Sequence, residues 1–115
     1  MNHELFFDEE NDMIVLRVRG DFAMDDAVRC SEFIDKTLKE RGSFNVLVDL
    51  SEATPSLDKE VRTMLKKQSQ EDAVKKFAMV VTHPALRIIG KIATSSMSNS
   101  KIFKTEEEAL RWLKG

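Results

Sequence analysis

Residues 44–57, Phe-Asn-Val-Leu-Val-Asp-Leu-Ser-Glu-Ala-Thr-Pro-Ser-Leu, constrain this chain more than any other stretch. Val46-Leu47-Val48 is apolar without alternation, the pattern of a strand covered on both faces, as a central parallel strand is. The strand, expected over 44–50, ends on an acid. A short hydroxyl-rich turn with one proline follows, and a charged amphipathic helix then begins. In open α/β sheets, ligands and partners are met outside the carboxyl ends of strands, where backbone groups and helix N-termini are free. Asp49, Ser51, Thr54, Ser56 and Asp58 are therefore the expected partner-contacting residues.

The flanking sequence fits one α/β domain over residues 1–115. A chain of 115 residues can bury one core but not two. Residues 4–19 read as a hairpin: a short strand over 4–8, an acidic turn over 9–12, and a strand over 13–19. In that second strand Ile14, Leu16 and Val18 alternate with Val15, Arg17 and Arg19. Gly20 ends it, and a helix over 24–40 follows, with Asp25 and Asp26 in the first turn and Gly42 as C-terminal cap. Helical spacing puts Met24, Ala27, Ser31, Ile34 and Leu38 on its core face, with Val28 at the border. Phe33 points away, between Cys30 and Thr37.

A second helix is expected over 57–71, buried through Leu57, Val61, Met64, Leu65 and Gln68 and capped by Ser56, with Asp58 and Glu60 in its first turn. A fourth strand spans 76–82. The third helix opens at Pro84 and carries Ala85, Leu86, Ile88, Ile89, Ile92, Ala93 and Met97 over more than half its circumference. Such breadth requires cover on two sides, by the rest of the domain, a second subunit or a ligand. A short strand over 101–103 precedes Thr105-Glu106-Glu107-Glu108, a capping box. The last helix buries Ala109, Leu110 and Leu113, and Trp112 clamps the sheet edge.

Composition closes several routes. Net charge is −2, from 18 basic and 20 acidic residues, and no stretch gathers a basic stripe, so nucleic acid is not an expected partner. The uncharged run over residues 92–100 is too short and too polar for membrane insertion. Cys30, the single cysteine, excludes an internal disulfide and fits a cytoplasmic location, as does an amino terminus without signal-peptide character. His83 follows a strand end, as do Asp49 and Ser51, so a Ser–His–Asp arrangement is geometrically conceivable. No nucleophile elbow, glycine-rich phosphate loop or metal-ligand spacing accompanies it. A non-enzymatic protein with no cofactor and no metal is expected.

The order strand, strand, helix, then three strand–helix units resembles the STAS domain, the fold of bacterial anti-sigma-factor antagonists of the SpoIIAA type. Val46-Leu47-Val48-Asp49-Leu50-Ser51 resembles that family's strand ending in Asp-Leu-Ser. Phe103 to Leu113 resembles the closing Phe…Glu-Ala…Trp-Leu segment of a SpoIIAA-like, Sec14-related branch. The resemblance implies a mixed sheet of about five strands with an N-terminal hairpin and four helices. It implies a bacterial regulatory module that offers the loop after the third strand and the start of the second helix to a protein partner. In the antagonists that helix opens with Asp-Ser-Ser/Thr-Gly, phosphorylated by a kinase. Residues 55–60 here lack the Gly and hold Asp58 or Lys59 at the phosphoacceptor position. The Sec14-related branch implies the alternative, a carrier or sensor of an apolar, lipid-like ligand held by Met64, Leu86, Ile89, Ala93 and Met97. The third helix and Phe33 also give a homodimer surfaces to cover.

Overall fold

The computed structural model describes residues 3–54, 59, 63, 74–84, 87 and 99–115. Five strands form one sheet in sequence order: β1 (Glu4–Asp8), β2 (Met13–Gly20), β3 (Phe44–Ala53), β4 (Val74–Val80) and β5 (Ser100–Phe103). β1 pairs antiparallel with β2, and every later pairing is parallel. Helix α1 (Met24–Arg41) covers one face and helix α2 (Glu106–Lys114) the other. The expected second and third helices fall outside the described residues except at Lys59, Thr63, Pro84 and Arg87, which are helical. The mixed sheet of five strands and its N-terminal hairpin are as expected.

The hairpin turns where Asp8 accepts the backbone N–H groups of Glu10 (3.1 Å) and Asn11 (3.2 Å), and Asp12 takes a left-handed φ of 54°. Acids that accept local backbone bonds stabilise turns of this kind. β3 is central, and Val46, Leu47 and Val48 are all buried. Alternate side chains divide between two cores. Ile14, Leu16, Val18, Val46, Val48, Phe77 and Met79 face α1, whereas Met13, Val15, Leu47, Ala78 and Val80 face α2.

Helix α1 lies on the sheet with a stripe rotated from the expected one. Its buried residues are Ala27, Cys30, Ile34 and Thr37, while Met24 and Val28 stay 38% and 39% exposed. Phe22, in the lead-in, fills the core at that end, and Ala27 and Cys30 are small enough to seat the helix closely. Phe33 packs partly into the same core and does not form an outward patch, which removes one of the two surfaces assigned to a homodimer. Thr37 satisfies its hydroxyl by donating to the Phe33 carbonyl at 2.8 Å. Burial pushes the Cys30 thiol up to about 12, and Cys30 packs as a small apolar group. Gly42, at φ 82°, ends the helix by donating its N–H to the Leu38 carbonyl at 3.0 Å.

Helix α2 is fixed at both ends. Thr105 accepts the Glu108 N–H at 3.2 Å, the forward half of the expected capping box. At the other end, Lys76 Nζ donates to the Trp112 carbonyl (2.9 Å) and Asn45 Nδ2 to the Leu113 carbonyl (3.2 Å), so orphan carbonyls of the last turn find partners on the sheet. Trp112 packs tilted against Phe103 of the edge strand, ring centres 5.7 Å apart, the clamp expected of it, with Lys76 Nζ 5.1 Å from the indole centre. No helix among the described residues is long and apolar enough to cross a membrane.

The rotated stripe separates two substitutions that the expected face would treat alike. Ile34→Ala is expected to cost about 2–5 kcal/mol in urea unfolding, whereas Met24→Ala costs less than about 1 kcal/mol. Equal losses would return Met24 to the core.

Candidate functional site

The site is built at the carboxyl end of β2 and β3, where strand pairing outlasts the apolar core. β3 continues past the expected end at Leu50 to Ala53, because a bulge that sets Asp49 to Glu52 on β3 against Arg17 to Arg19 on β2 lets pairing resume. Arg19 lies beside Glu52 and Gly20 beside Ala53, and Thr54 N–H then donates to the Gly20 carbonyl at 2.8 Å. What reads in sequence as a loop after Asp49 is thus an exposed strand end. Ser51 and Glu52 face solvent, and Thr54 is half-buried.

Beneath this rim sits a cluster of charges on the α2 side of the sheet. The parallel register sets Arg17 beside Asp49. Arg17 grips Glu106, the first residue of α2, with a two-pronged bond: Nε to Oε2 at 2.9 Å and Nη2 to Oε1 at 3.0 Å. Its Nη1 donates to Glu4 at 2.8 Å, Arg19 Nη2 reaches the other oxygen of Glu4 at 2.6 Å, and Arg19 Nε lies 3.4 Å from Glu52. A guanidinium fork suits this planar, two-oxygen grip as an ammonium cannot.

Asp49 is only 9% exposed. Its Oδ1 accepts the Ser51 N–H at 2.8 Å, and its carboxyl hydrogen-bonds Glu106. The two acids are driven apart. Burial, and then the bond to Glu106, raise Asp49 above the usual aspartate range. Arg17 foremost, then the bond from Asp49, holds Glu106 down to about 2.

A second polar contact secures the same end of the sheet. The His3 side chain, 3% exposed, accepts the Arg19 backbone N–H on Nδ1 at 3.0 Å, which leaves the ring proton on Nε2 to donate to Asp26 Oδ2 at 3.2 Å. Asp26 also accepts the Ala23 N–H at 3.1 Å, so the segment before β1, the end of β2 and the start of α1 are tied together.

Of the residues expected to contact a partner, Asp49, Ser51 and Thr54 fall on one strand end, with Asp49 turned inward and Ser51 outward. Ser56 and Asp58 lie outside the described residues, as do all five expected ligand contacts, Met64, Leu86, Ile89, Ala93 and Met97. Asp49 accepts the Ser51 N–H, and no bond from it to His83 is seen among the described residues. Among the described residues no group of three or more His, Cys, Asp or Glu side chains is arranged to hold a metal ion. Sequence reasoning missed Arg17, Glu106 and His3 as parts of the site. Alternation puts Arg17 on the Met13–Val15 face, but its meeting with Asp49 needs the strand register. Glu106 was accounted for as a cap residue.

This architecture belongs to a known class. A SpoIIAA-like family model matches residues 13–114, and the chain belongs to the SpoIIAA-like family. Two solved structures share the fold. The anti-sigma factor antagonist SpoIIAA in its unphosphorylated form matches with a TM-score of 0.75 at 12% identity, over 98% of each chain. An uncharacterised DUF3478-family protein with a SpoIIAA-like fold, from Shewanella loihica PV-4, matches with a TM-score of 0.72 at 15% identity, over 96% of this chain and 91% of the other. No curated protein sequence matches the chain.

The pair titrations carry opposite signs. Glu106, depressed from 4.5 to about 2, contributes stability that is complete above the usual glutamate range and lost as pH falls through about 2. Asp49, raised, contributes stability that is complete below the usual aspartate range and lost as pH climbs through its raised midpoint. Arg17→Lys breaks the fork and is expected to cost about 1 kcal/mol at neutral pH. In urea titrations its deficit against the parent should shrink as pH falls toward 2. A deficit that ignores pH would detach Arg17 from the carboxyls.

Proposed function

We propose that this chain is a non-catalytic regulatory module that receives a protein partner at the rim formed by the ends of β2 and β3. Ser51 and Thr54 form the pinned part of the contact over the inward-turned Asp49, and Ser56 and Asp58 in the following segment extend it. One observation carries this reading. Ser51 and Glu52 are solvent-exposed polar residues held in a paired strand, with Ser51 N–H on Asp49 and Thr54 N–H on Gly20. An exposed edge already ordered loses little conformational freedom when a partner docks, which favours specific capture by a small surface.

Family membership supports the same class of role, since one structural neighbour is an anti-sigma factor antagonist, a protein that by its name opposes another protein. That neighbour is described in its unphosphorylated form. In this chain residues 55–60 hold Ser56 and the fixed acid Asp58 in place of an Asp-Ser-Ser/Thr-Gly sequence. A carboxylate has less charge and fewer acceptor oxygens than a phosphoserine, so Asp58 gives the segment a constant, weaker negative end.

Affinity capture from an extract of the source cells, with cross-linking to locate the contact, tests the reading. The parent chain should retain a saturable partner cross-linked near the rim. Ser51→Arg and Asp58→Arg should each weaken capture by at least about tenfold while circular dichroism shows an intact fold. Undiminished capture by both variants would contradict the rim as the docking place.

A further inference from the structure

We propose that His3 is an acid-released pin for the rim: with one ring proton the imidazole holds the Arg19 backbone, and a second proton breaks that bond and leaves the ring on Asp26 alone. The register of β1 with β2 runs out at Glu4 opposite Arg17. Two residues further along β2, a side chain takes the place of a strand carbonyl, and His3 Nδ1 accepts the Arg19 N–H at 3.0 Å. The other ring nitrogen lies 3.2 Å from Asp26 Oδ2, and the Phe22 ring is 5.2 Å away centre to centre. The imidazole is almost wholly buried in this seat. A backbone N–H only donates, so Nδ1 carries its lone pair and the single ring proton is on Nε2.

That tautomer decides what acid does. A second proton has one place to go, Nδ1, where it meets the Arg19 N–H as donor against donor. On charging, the ring therefore gives up Arg19 and keeps Asp26, since imidazolium and carboxylate attract. Burial works against the Asp26 charge, but the Ala23 N–H and the His3 bond hold it below the usual aspartate range. Asp26 is thus a carboxylate wherever an imidazole exchanges its proton. The other charges round the ring are accounted for. The amino-terminal charge acts on Asp26 alongside His3. Glu4 of β1 and Glu52 of β3 are both engaged by the Arg19 side chain. Asp21 and Asp25, which adjoin Phe22 and Asp26 in the chain, are solvent-exposed and screened. Arg19 stands just past the bulge, level with Glu52, and Gly20 after it accepts the Thr54 N–H. Loss of the Arg19 bond acts directly on the pairing that holds residues 51–54 in place.

The effect on partner capture rests on the proposed rim. The pin belongs to the free chain and is read without a partner, so the two fail separately. Nitrogen-15 NMR of the full chain follows ring and backbone in one titration. In mildly alkaline solution the His3 ring shifts should show the Nε2–H form. As His3 takes its second proton, protection of the Arg19 N–H, corrected for intrinsic exchange, should fall at least about tenfold while that of Val48 holds. His3→Asn sets an amide oxygen where Nδ1 stands and has no proton to gain, so Arg19 should stay protected through the same range. His83 is unchanged in that variant, which separates the two histidines. His3→Ala should leave Arg19 unprotected at every pH. The pin is overturned by an Nδ1–H ring in alkaline solution, by Arg19 protection that persists as His3 charges, by the same acid loss in His3→Asn, or by protection retained in His3→Ala.

Discussion

The parallel pairing of β2 with β3 is the constraint on which the rest of this molecule depends. Its register decides which side chains share a face, since a slip of one residue would exchange the two cores. In the observed register Ile14, Leu16 and Val18 join Val46 and Val48 under α1, and Met13 and Val15 join Leu47 under α2. The same alignment, carried two residues further along the α2 side, brings Arg17 level with Asp49. The core and the charged cluster are therefore one continuous arrangement.

That continuity explains how a buried acid is tolerated. Burying a charged carboxyl is costly, and the fold avoids the cost in two ways. Asp49 accepts a backbone bond from Ser51, and its burial raises it above the usual aspartate range. Glu106 keeps its charge because Arg17 meets both of its oxygens. Helix α2 is thus held by polar contacts at its start and by Asn45 and Lys76 at its end, with Ala109 and Leu113 supplying the apolar contact between. The Arg17–Glu106 pair is half-buried, so it adds modest net stability while it holds the start of α2 against the rim.

Much of the fold was legible in the residues. The unbroken apolar run at Val46 to Val48 marked the central strand, Gly42 the end of α1, and the alternation of 13–19 the second strand. The errors have physical sources. The stripe of α1 was rotated because helical spacing alone does not weigh Phe22, outside the helix, against Met24 inside it. An acid in a strand resembles a boundary, whereas a bulge with its extra residue on β3 lets pairing continue to Ala53. Half of the site was visible, in Asp49 and the polar residues after it. Arg17 and Glu106 were not, since they lie 89 positions apart and meet only through the register and the docking of α2.

The most direct measurement is the β2–β3 register itself, read from interstrand nuclear Overhauser contacts in the isotope-labelled chain. Contacts between the backbones of Arg17 and Asp49, and between those of Gly20 and Ala53, are the expected result. Contacts displaced by one residue would turn Asp49 toward α1, separate it from Arg17 and Glu106, and contradict both the rim and the cluster beneath it.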